Sequence, residues 1–434
     1  MKYFYNNLVL ALGLSFNICF ADSLEDIYFL ALKNDPQLAA ESASRQATSE
    51  LTSQAKARFL PEVSLSADNG RLWQDGSNNN QEYNTHGYSL SLTQPIYRKQ
   101  NFILKSQAET ALNSAEAHYQ VVEQDLIIRT AERYFEVLSS QDILLFDIAQ
   151  REAISKQLEQ SEQRLTVGLA TVTDVSESKA AYDLSNATVI NSKNNLTNSK
   201  ERLREITGIY PEVLSTLQAD IPLVSPEPED IEQWTSMALI QNPRLLVVKS
   251  AVNNADQNIQ LQKSGHYPTL DIVGQKSYSS QGDSSLGGGI KTHQDSIGLQ
   301  VNLPLYSGGR VLSRTREAGY RLNEAMFQEE QEQRSITRET REAYNSVLSN
   351  IGRVNALKQA VLSNEQALES TIAGYDVGLR TTVDILNVRQ ELFSAKSDYA
   401  RSRYDYILST LRLKQASGTV TVTDIKLINQ WLEE

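Results

Sequence analysis

The chain is written twice, and nothing else in it constrains the fold as much. The stretch Thr166-Val167-Gly168-Leu169-Ala170-Thr171-Val172-Thr173-Asp174 returns as Asp376-Val377-Gly378-Leu379-Arg380-Thr381-Thr382-Val383-Asp384, with Gly168 and Gly378, like Asp174 and Asp384, 210 positions apart. Asn34-Asp35-Pro36 is echoed by Asn242-Pro243, and Pro61 by Pro268, both 207 positions later. A nearly constant offset across separate landmarks means one structural unit used twice, and any fold must give both copies equivalent places.

The units span residues 22–210 and 231–418, joined by a linker, 211–230, that holds four prolines, and followed by a tail, 419–434. Each opens with a short helix, at 24–33 and 231–240, closed by Asn and Pro. A second helix begins at that proline, where a missing N–H is no loss, and runs to about 59 and 265. Pro61 and Pro268 end it. The period then changes from helical to alternating. Val63, Leu65 and Ala67 alternate with Ser64, Ser66 and Asp68, and Tyr88, Leu90 and Leu92 with Ser89, Ser91 and Thr93. Strands are predicted at 62–73 and 86–97 around a Gly/Ser/Asn stretch, and at 269–280 and 293–306 around a loop containing Gly287-Gly288-Gly289. Ten-residue strands with one apolar face suit a membrane. A hairpin packed on helices is the blander reading, but two hairpins with long polar tips in an exported chain favour lipid. Four strands close no barrel, and unpaired backbone in lipid costs several kcal/mol per group, so several chains would have to share one barrel.

After each hairpin comes a proline-free helical pattern, 98–165 and 308–375, with spacings such as Ala108, Leu112, Ala115, Tyr119, Val122 and Leu126. Roughly 68 residues at about 1.5 Å each make a rod of about 100 Å. So long a rod needs partners throughout its length. Return helices at 171–206 and 381–416, ended by Gly208 and Gly418, supply about half that length. The helix before the hairpin supplies the rest, if the two short helices stack end to end.

Composition fits this plan. Mean hydropathy is −0.40, and Ala, Ser, Gln and Glu fill long stretches, as thin, solvent-laced helices require. The net charge of −12 and the lack of a basic patch argue against nucleic acid. Lys2, the apolar run from Leu8 to Phe20, and Ala21 read as a signal peptide, 1–21, cut after Ala21. Cys19 is the only cysteine, and the Ile18 before it disfavours a lipoprotein signal. The mature chain then has neither disulfide nor thiol chemistry, and no cofactor or metal site is expected.

Together these features resemble the TolC family of outer-membrane export channels, across about residues 22–431. The resemblance rests on the duplicated plan and on Asn34-Asp35-Pro36, Leu60-Pro61, Tyr134-Phe135-Glu136-Val137-Leu138, the Val-Gly-Leu turns, Leu303-Pro304-Leu305-Tyr306, and Gly374-Tyr375 through Val383-Asp384. It implies a mostly α chain with a small β part. Three copies would form a 12-stranded outer-membrane β-barrel continued by a 12-helix periplasmic α-barrel of coiled coils. The implied partners are a periplasmic adaptor (membrane fusion protein), an inner-membrane pump of RND, MFS or ABC type, and outer-membrane lipid. The implied function is an exit duct for small molecules such as drugs and toxic compounds, and for proteins.

Asp174 and Asp384 each follow a Thr by three residues at a helix start, a capping box that accounts for both without a further role. Tyr375 and Arg380 differ: their repeat mates are Leu165 and Ala170, and capping requires neither. The resemblance assigns these two, with Thr173 and Asp174, to a gate closing the periplasmic mouth. Tyr375 would bond Asp174; Arg380 would bond Asp174 and Thr173, partly across the protomer boundary. Such charge-assisted bonds contribute about 1.5–3 kcal/mol each. The family also places two rings of acid inside the mouth. Asp384 matches the first, while Asn387 stands at the second, which implies a weaker cation preference and weaker multivalent-cation block. Val167, Gly168, Leu169, Val377, Gly378 and Leu379 match the adaptor-docking turns, although a glycine-bearing helical turn needs no docking role to explain it.

Two other classes compete. Four scattered histidines (His86, His118, His266, His293), no mature cysteine and no paired carboxylates give an enzyme nothing to work with. A soluble periplasmic coiled-coil adaptor or tether explains the helices but makes the hairpins soluble. A trimeric adhesin gives no reason for the duplication.

Overall fold

The computed structural model describes residues 22–76, 79–211, 213–282 and 289–433. The expected signal peptide lies outside them. The first unit comprises helices α1 (Leu24–Asn34) and α2 (Pro36–Ala57), strands β1 (Glu62–Gly76) and β2 (Asn79–Arg98), and helices α3 (Lys99–Thr166) and α4 (Val172–Thr207). The second comprises α5 (Ile231–Gln241), α6 (Pro243–Lys263), a 3-10 turn (Ser264–His266), β3 (Thr269–Gln281), β4 (Ile290–Asn302), α7 (Arg310–Asp376) and α8 (Thr382–Ala416). Helix α9 (Val422–Asn429) follows.

The short helices stack as expected, and the proline junctions are the reason. Asp35 caps α2 by accepting from Leu38 N at 2.7 Å, while Asn34 Nδ2 donates to Thr207 O at the end of α4, also at 2.7 Å. In the second unit Asn242 does both tasks, accepting from Arg244 N and donating to Ala416 O, each at 2.9 Å. A carbonyl left over at one helix end is thus satisfied by the residue that starts the next. An ion pair ties each junction to its rod with reversed polarity. Arg129 of α3 grips buried Asp35 at 2.9 and 3.2 Å, whereas Arg244 at the start of α6 reaches Glu339 of α7 at 2.7 Å. Arg129 and Glu339 are repeat mates, 210 positions apart.

Helix α4 buries Ser178, Ser185, Ser192 and Ser199, one per seven residues, and α8 buries Ala395, Ser402 and Ser409 at the matching positions. A seven-residue repeat winds helices into a left-handed coil. Small side chains on the seam let the backbones approach closely. Their hydroxyls are satisfied: Ser185, Ser199, Ser402 and Ser409 donate to carbonyls three residues back at 2.7–2.9 Å, while Ser178 and Ser192 bond across the seam to Ser161 and Asp147 of α3. The large apolar residues gather around the junctions instead. Tyr28, Tyr134, Phe135, Leu203, Tyr406, Ile407 and Ile425 are almost fully buried there, belted by α1 and α9. Buried tyrosines also hold the linker: Tyr134 Oη donates to Ser215 O, and Tyr406 Oη accepts from Val224 N, both at 2.8 Å.

The strands form one antiparallel sheet in the order β1-β2-β3-β4, so two strand edges stay open in a single chain. The register puts Val63, Leu65, Leu90, Leu92, Ile272, Ile297 and Leu299 on one face. Ser64, Ser89, Ser91 and Gln275 take the other, hydrogen-bonded across strands at 2.8–3.3 Å. The hairpins depart from expectation at their ends. Strands β1 and β2 run through Asp75-Gly76 and Asn79-Asn80, and Ser77 and Asn78 lie outside the described residues. Asn and Gly read as loop formers, yet their backbones pair here. Strand β4 begins at Ile290 and stops at Asn302, short of Leu303-Pro304-Leu305, because proline has no N–H for the ladder. Gly287 and Gly288 of the expected loop lie outside the described residues.

Two predictions follow from the junctions. Gly208 and Gly418 share a left-handed backbone, φ 77° and 76°. A Cβ on Gly418 would stand 2.6 Å from Asn242 Cα, but one on Gly208 no nearer than 3.7 Å to the Asn34 side chain. Both alanine variants lose about 1 kcal/mol to backbone strain, and Gly418→Ala lowers the thermal midpoint further; equal shifts would contradict the tighter second junction. Burial pushes the Asp35 carboxyl up, but the Arg129 guanidinium and the Leu38 N–H outweigh it and hold it below the usual carboxylate range. A depressed folded-state value stabilises the fold above the unfolded value and is lost as pH falls through the folded one. Asp35→Asn keeps the cap and loses the ion pair, at about 3 kcal/mol near neutrality. Its melting curve should converge on wild type as pH drops below about 3.9, and a constant gap would show that the carboxylate charge is not the cause.

Candidate functional site

Both helical hairpins turn through the same backbone motif. Gly168 N donates to Leu165 O at 3.0 Å and Leu169 N to Arg164 O at 2.8 Å; Gly378 and Leu379 repeat this onto Tyr375 O and Gly374 O at the same distances. Each glycine is left-handed, φ 76° and 78°, and closes the helix by satisfying its last carbonyls. A capping box then starts the return helix. Thr171 N donates to Asp174 Oδ2 at 2.8 Å and Asp174 N returns to Thr171 Oγ1 at 3.2 Å; Thr381 and Asp384 match both distances. Val167, Leu169, Val377 and Leu379 are 68, 72, 71 and 81% exposed in the protomer. Each turn thus presents a pair of apolar side chains to water.

On this common backbone the side chains diverge. Tyr375 is half-buried, its ring under the Arg164 guanidinium with 4.6 Å from the cation to the ring centroid. Its Oη accepts from Thr382 Oγ1 at 3.4 Å. Thr382 is fully buried, and its hydroxyl also lies against Asp174. Within one chain Tyr375 therefore approaches Asp174 through Thr382, where sequence reasoning expected a direct bond. Arg380 is exposed and makes no hydrogen bond or ion pair among the described residues. Its stem lies over Gly374, where an added Cβ would stand 2.9 Å from Arg380 Cγ. Thr173 is exposed and is not brought to Arg380 within the protomer.

The hydrogen bonds from the Thr171 N–H and hydroxyl, aided by the Thr382 hydroxyl, hold the Asp174 carboxyl below its usual range. Those from Thr381, aided by the charge of Arg380, do the same for Asp384. Both turns therefore carry an ionised acid at neutral pH. Asn387 is exposed and borders a groove shared with Val383, Leu386 and Gln390 of α8 and with Asp147 and Glu177 of the first unit. Two acids outside the expected set thus line the same groove, Glu177 being the repeat mate of Asn387.

Arg164, Thr382 and Arg389 were missed by sequence reasoning. Arg389 Nη1 donates to Ala153 O of α3 at 2.7 Å, and burial pushes its guanidinium pKa down. The comparison that exposed Tyr375 and Arg380 also works for Arg164, whose repeat mate is Gly374. It also separates Thr382 from its mate Val172, though not Arg389 from Lys179.

No helix among the described residues is long and apolar enough to cross a membrane, and no group of His, Cys, Asp and Glu there is arranged to hold a metal ion. The family model described as outer membrane efflux protein matches twice, over residues 27–209 and 234–419. The chain is 36% identical over 425 residues to outer membrane protein TolC of Vibrio cholerae serotype O1, covering 98% of this chain and 97% of that protein. It is 26% identical over 423 residues to the alkaline protease secretion protein AprF of Pseudomonas aeruginosa, covering 94% and 87%. The crystal structure of the Campylobacter jejuni CmeC outer membrane channel matches with a TM-score of 0.76 at 18% identity, covering 94% of this chain and 90% of that one.

The chain belongs to the outer membrane efflux protein family. It is the protomer of a trimeric channel, in which three four-stranded sheets make a twelve-stranded outer-membrane barrel and the helices continue it as a periplasmic α-barrel. It forms an exit duct in the outer membrane and is not a periplasmic adaptor or tether. Channels of this family work with an adaptor and an inner-membrane pump.

Proposed function

We propose that this duct is shut at its periplasmic tip by the second-unit turn and serves pumps of RND, MFS or ABC type. Its cargo on this reading is small toxic molecules and proteins; the similarity to AprF, an alkaline protease secretion protein, supports the second class. The observation that carries the gate is the asymmetry of the two turns. Their backbones are the same, so the turn itself explains neither Tyr375 nor Arg380. Tyr375 already packs between Arg164 and Thr382 beside Asp174. Arg380 projects exposed from the tip without a hydrogen bond or ion pair among the described residues, as a cation meant for the neighbouring chain would. Three copies of such bonds, weakened by solvent at the tip, hold a closed state that an adaptor can overcome. The exposed pairs Val167/Leu169 and Val377/Leu379 are the surface the adaptor would take up. Asp384 and Asn387 follow directly behind the gate.

Planar-bilayer conductance of the detergent-purified trimer tests this. Wild type should show a small, flickering conductance, and Tyr375→Phe/Arg380→Ser a several-fold larger one; equal conductances would leave the channel standing and remove the gate. Asn387→Asp should shift the reversal potential in a KCl gradient toward potassium and lower the multivalent-cation concentration needed for block. No shift in either would place Asn387 away from the constriction.

A further inference from the structure

The two turns differ in one further way that bears on the gate. Residues six apart face each other across each turn. In the first unit the large member comes first, Arg164 opposite Ala170; in the second it comes last, Gly374 opposite Arg380. The swap is steric. A Cβ on Gly374 would stand 2.9 Å from Arg380 Cγ and 3.7 Å from its Cβ, so the Arg380 stem fills the place of a side chain at 374. An arginine at 164 meets no such stem, because Ala170 has none. It leans across to the other hairpin and covers the ring of Tyr375 at 4.6 Å. The far end of that ring is held by Thr382, which is buried against the first unit at Asp174. Tyr375 thus lies between Arg164 at the end of α3 and Thr382 at the start of α8, which in turn meets Asp174 of α4.

We propose that Arg164 is a positioning residue of the gate: its guanidinium, lying on the Tyr375 ring, seats the tip of the second hairpin on the first. Gly374 is its counterpart and leaves Arg380 room to reach outward. This rests on the gate reading above and adds two residues that capping and turn geometry do not require. The contact favours only the arrangement in which α7 stays beside the end of α3. It is a cation on a π face, so it needs positive charge and an aromatic ring but no directed hydrogen bond. Lysine therefore keeps part of it and glutamine none.

The test is a conductance cycle on the full-length trimer, with SDS-resistant trimer as the control for folding. Arg164→Gln should raise the open-to-closed ratio by roughly two- to fivefold per protomer, the range of an exposed cation–π contact, and Arg164→Lys should restore part of the closure. Tyr375→Leu should open the channel, and Arg164→Gln should add nothing in that background. Gly374→Ala should open the channel in wild type but not in Arg380→Ser. Should Tyr375→Leu leave conductance unchanged, the gate reading itself falls, and this inference with it. Should Tyr375→Leu open the channel while Arg164→Gln has no effect, has an effect that adds to it, or is not relieved by lysine, only the role of Arg164 is overturned. Loss of SDS-resistant trimer in Arg164→Gln with an intact lysine variant still supports a cation at 164; loss in both counts against a role confined to the gate.

Discussion

A helix of 68 residues in water holds together only if something packs along all of it. Everything periplasmic in this chain follows from meeting that need with helices half as long. Two short helices must abut, and abutting leaves carbonyls and N–H groups at the joint that water would otherwise satisfy. Asn34 and Asn242 close that gap by bonding across it. Once the joint is dry it becomes the place to bury bulk, and the chain puts its tyrosines, leucines and isoleucines there. Away from the joint the seams thin to serine and alanine with single Ile, Val and Leu residues such as Ile154, Val189, Ile385 and Leu392. The bulk of the buried apolar side chains thus sits at mid-length and fewer lie toward the tip, the distribution a movable tip needs.

The membrane end is governed by a similar deficit in another solvent. A four-stranded sheet exposes one row of N–H and C=O groups at β1 and another at β4. In lipid those rows find no water, so they pair with neighbouring chains or are not inserted. Assembly is therefore built into the strand count. Arg98 and Asp271, paired at 2.8 and 2.9 Å where strand β2 gives way to α3, tie the two units together at the base of the sheet.

How much of this could be read in advance depended on whether the cause was local. Proline at 36, 61, 243 and 268, glycine at 168, 208, 378 and 418, and Thr-x-x-Asp at the helix starts act within a few residues, so helix ends and turns were legible. The heptad serines were not, because a serine on a helix usually marks the wet face and only the partner helix makes it a seam. Nor was the junction ion pair, since Arg129 and Glu339 carry opposite charges at one repeat position and read as a failure of the repeat. The Asn-rich hairpin tip was mistaken for loop because Asn and Gly are poor strand formers by composition, whereas strand preference depends on context and their backbones pair here. At the candidate site, repeat comparison found Tyr375 and Arg380; the mismatch of Thr382 with Val172 is visible in the same way, but its role depends on Asp174, about 200 residues away.

Duplication also explains why the gate chemistry lies where the copies disagree. Two copies in each of three chains would give a ring of six equivalent hairpins, and such a ring has no reason to prefer one set of contacts over another. Closing an aperture requires hairpins of two kinds, one that stays and one that moves across. Backbone symmetry keeps both in register with the same rods, so the distinction has to come from side chains that leave the turn unchanged. Large and small residues exchanged across the turn meet that condition: the total volume is about the same, the glycine-capped backbone is untouched, and the projecting cation changes sides. The ion-pair reversal at the junctions follows the same pattern. Arg129 and Glu339 keep the staple while changing its sign, so that each unit holds its own joint without offering an identical charge to the other.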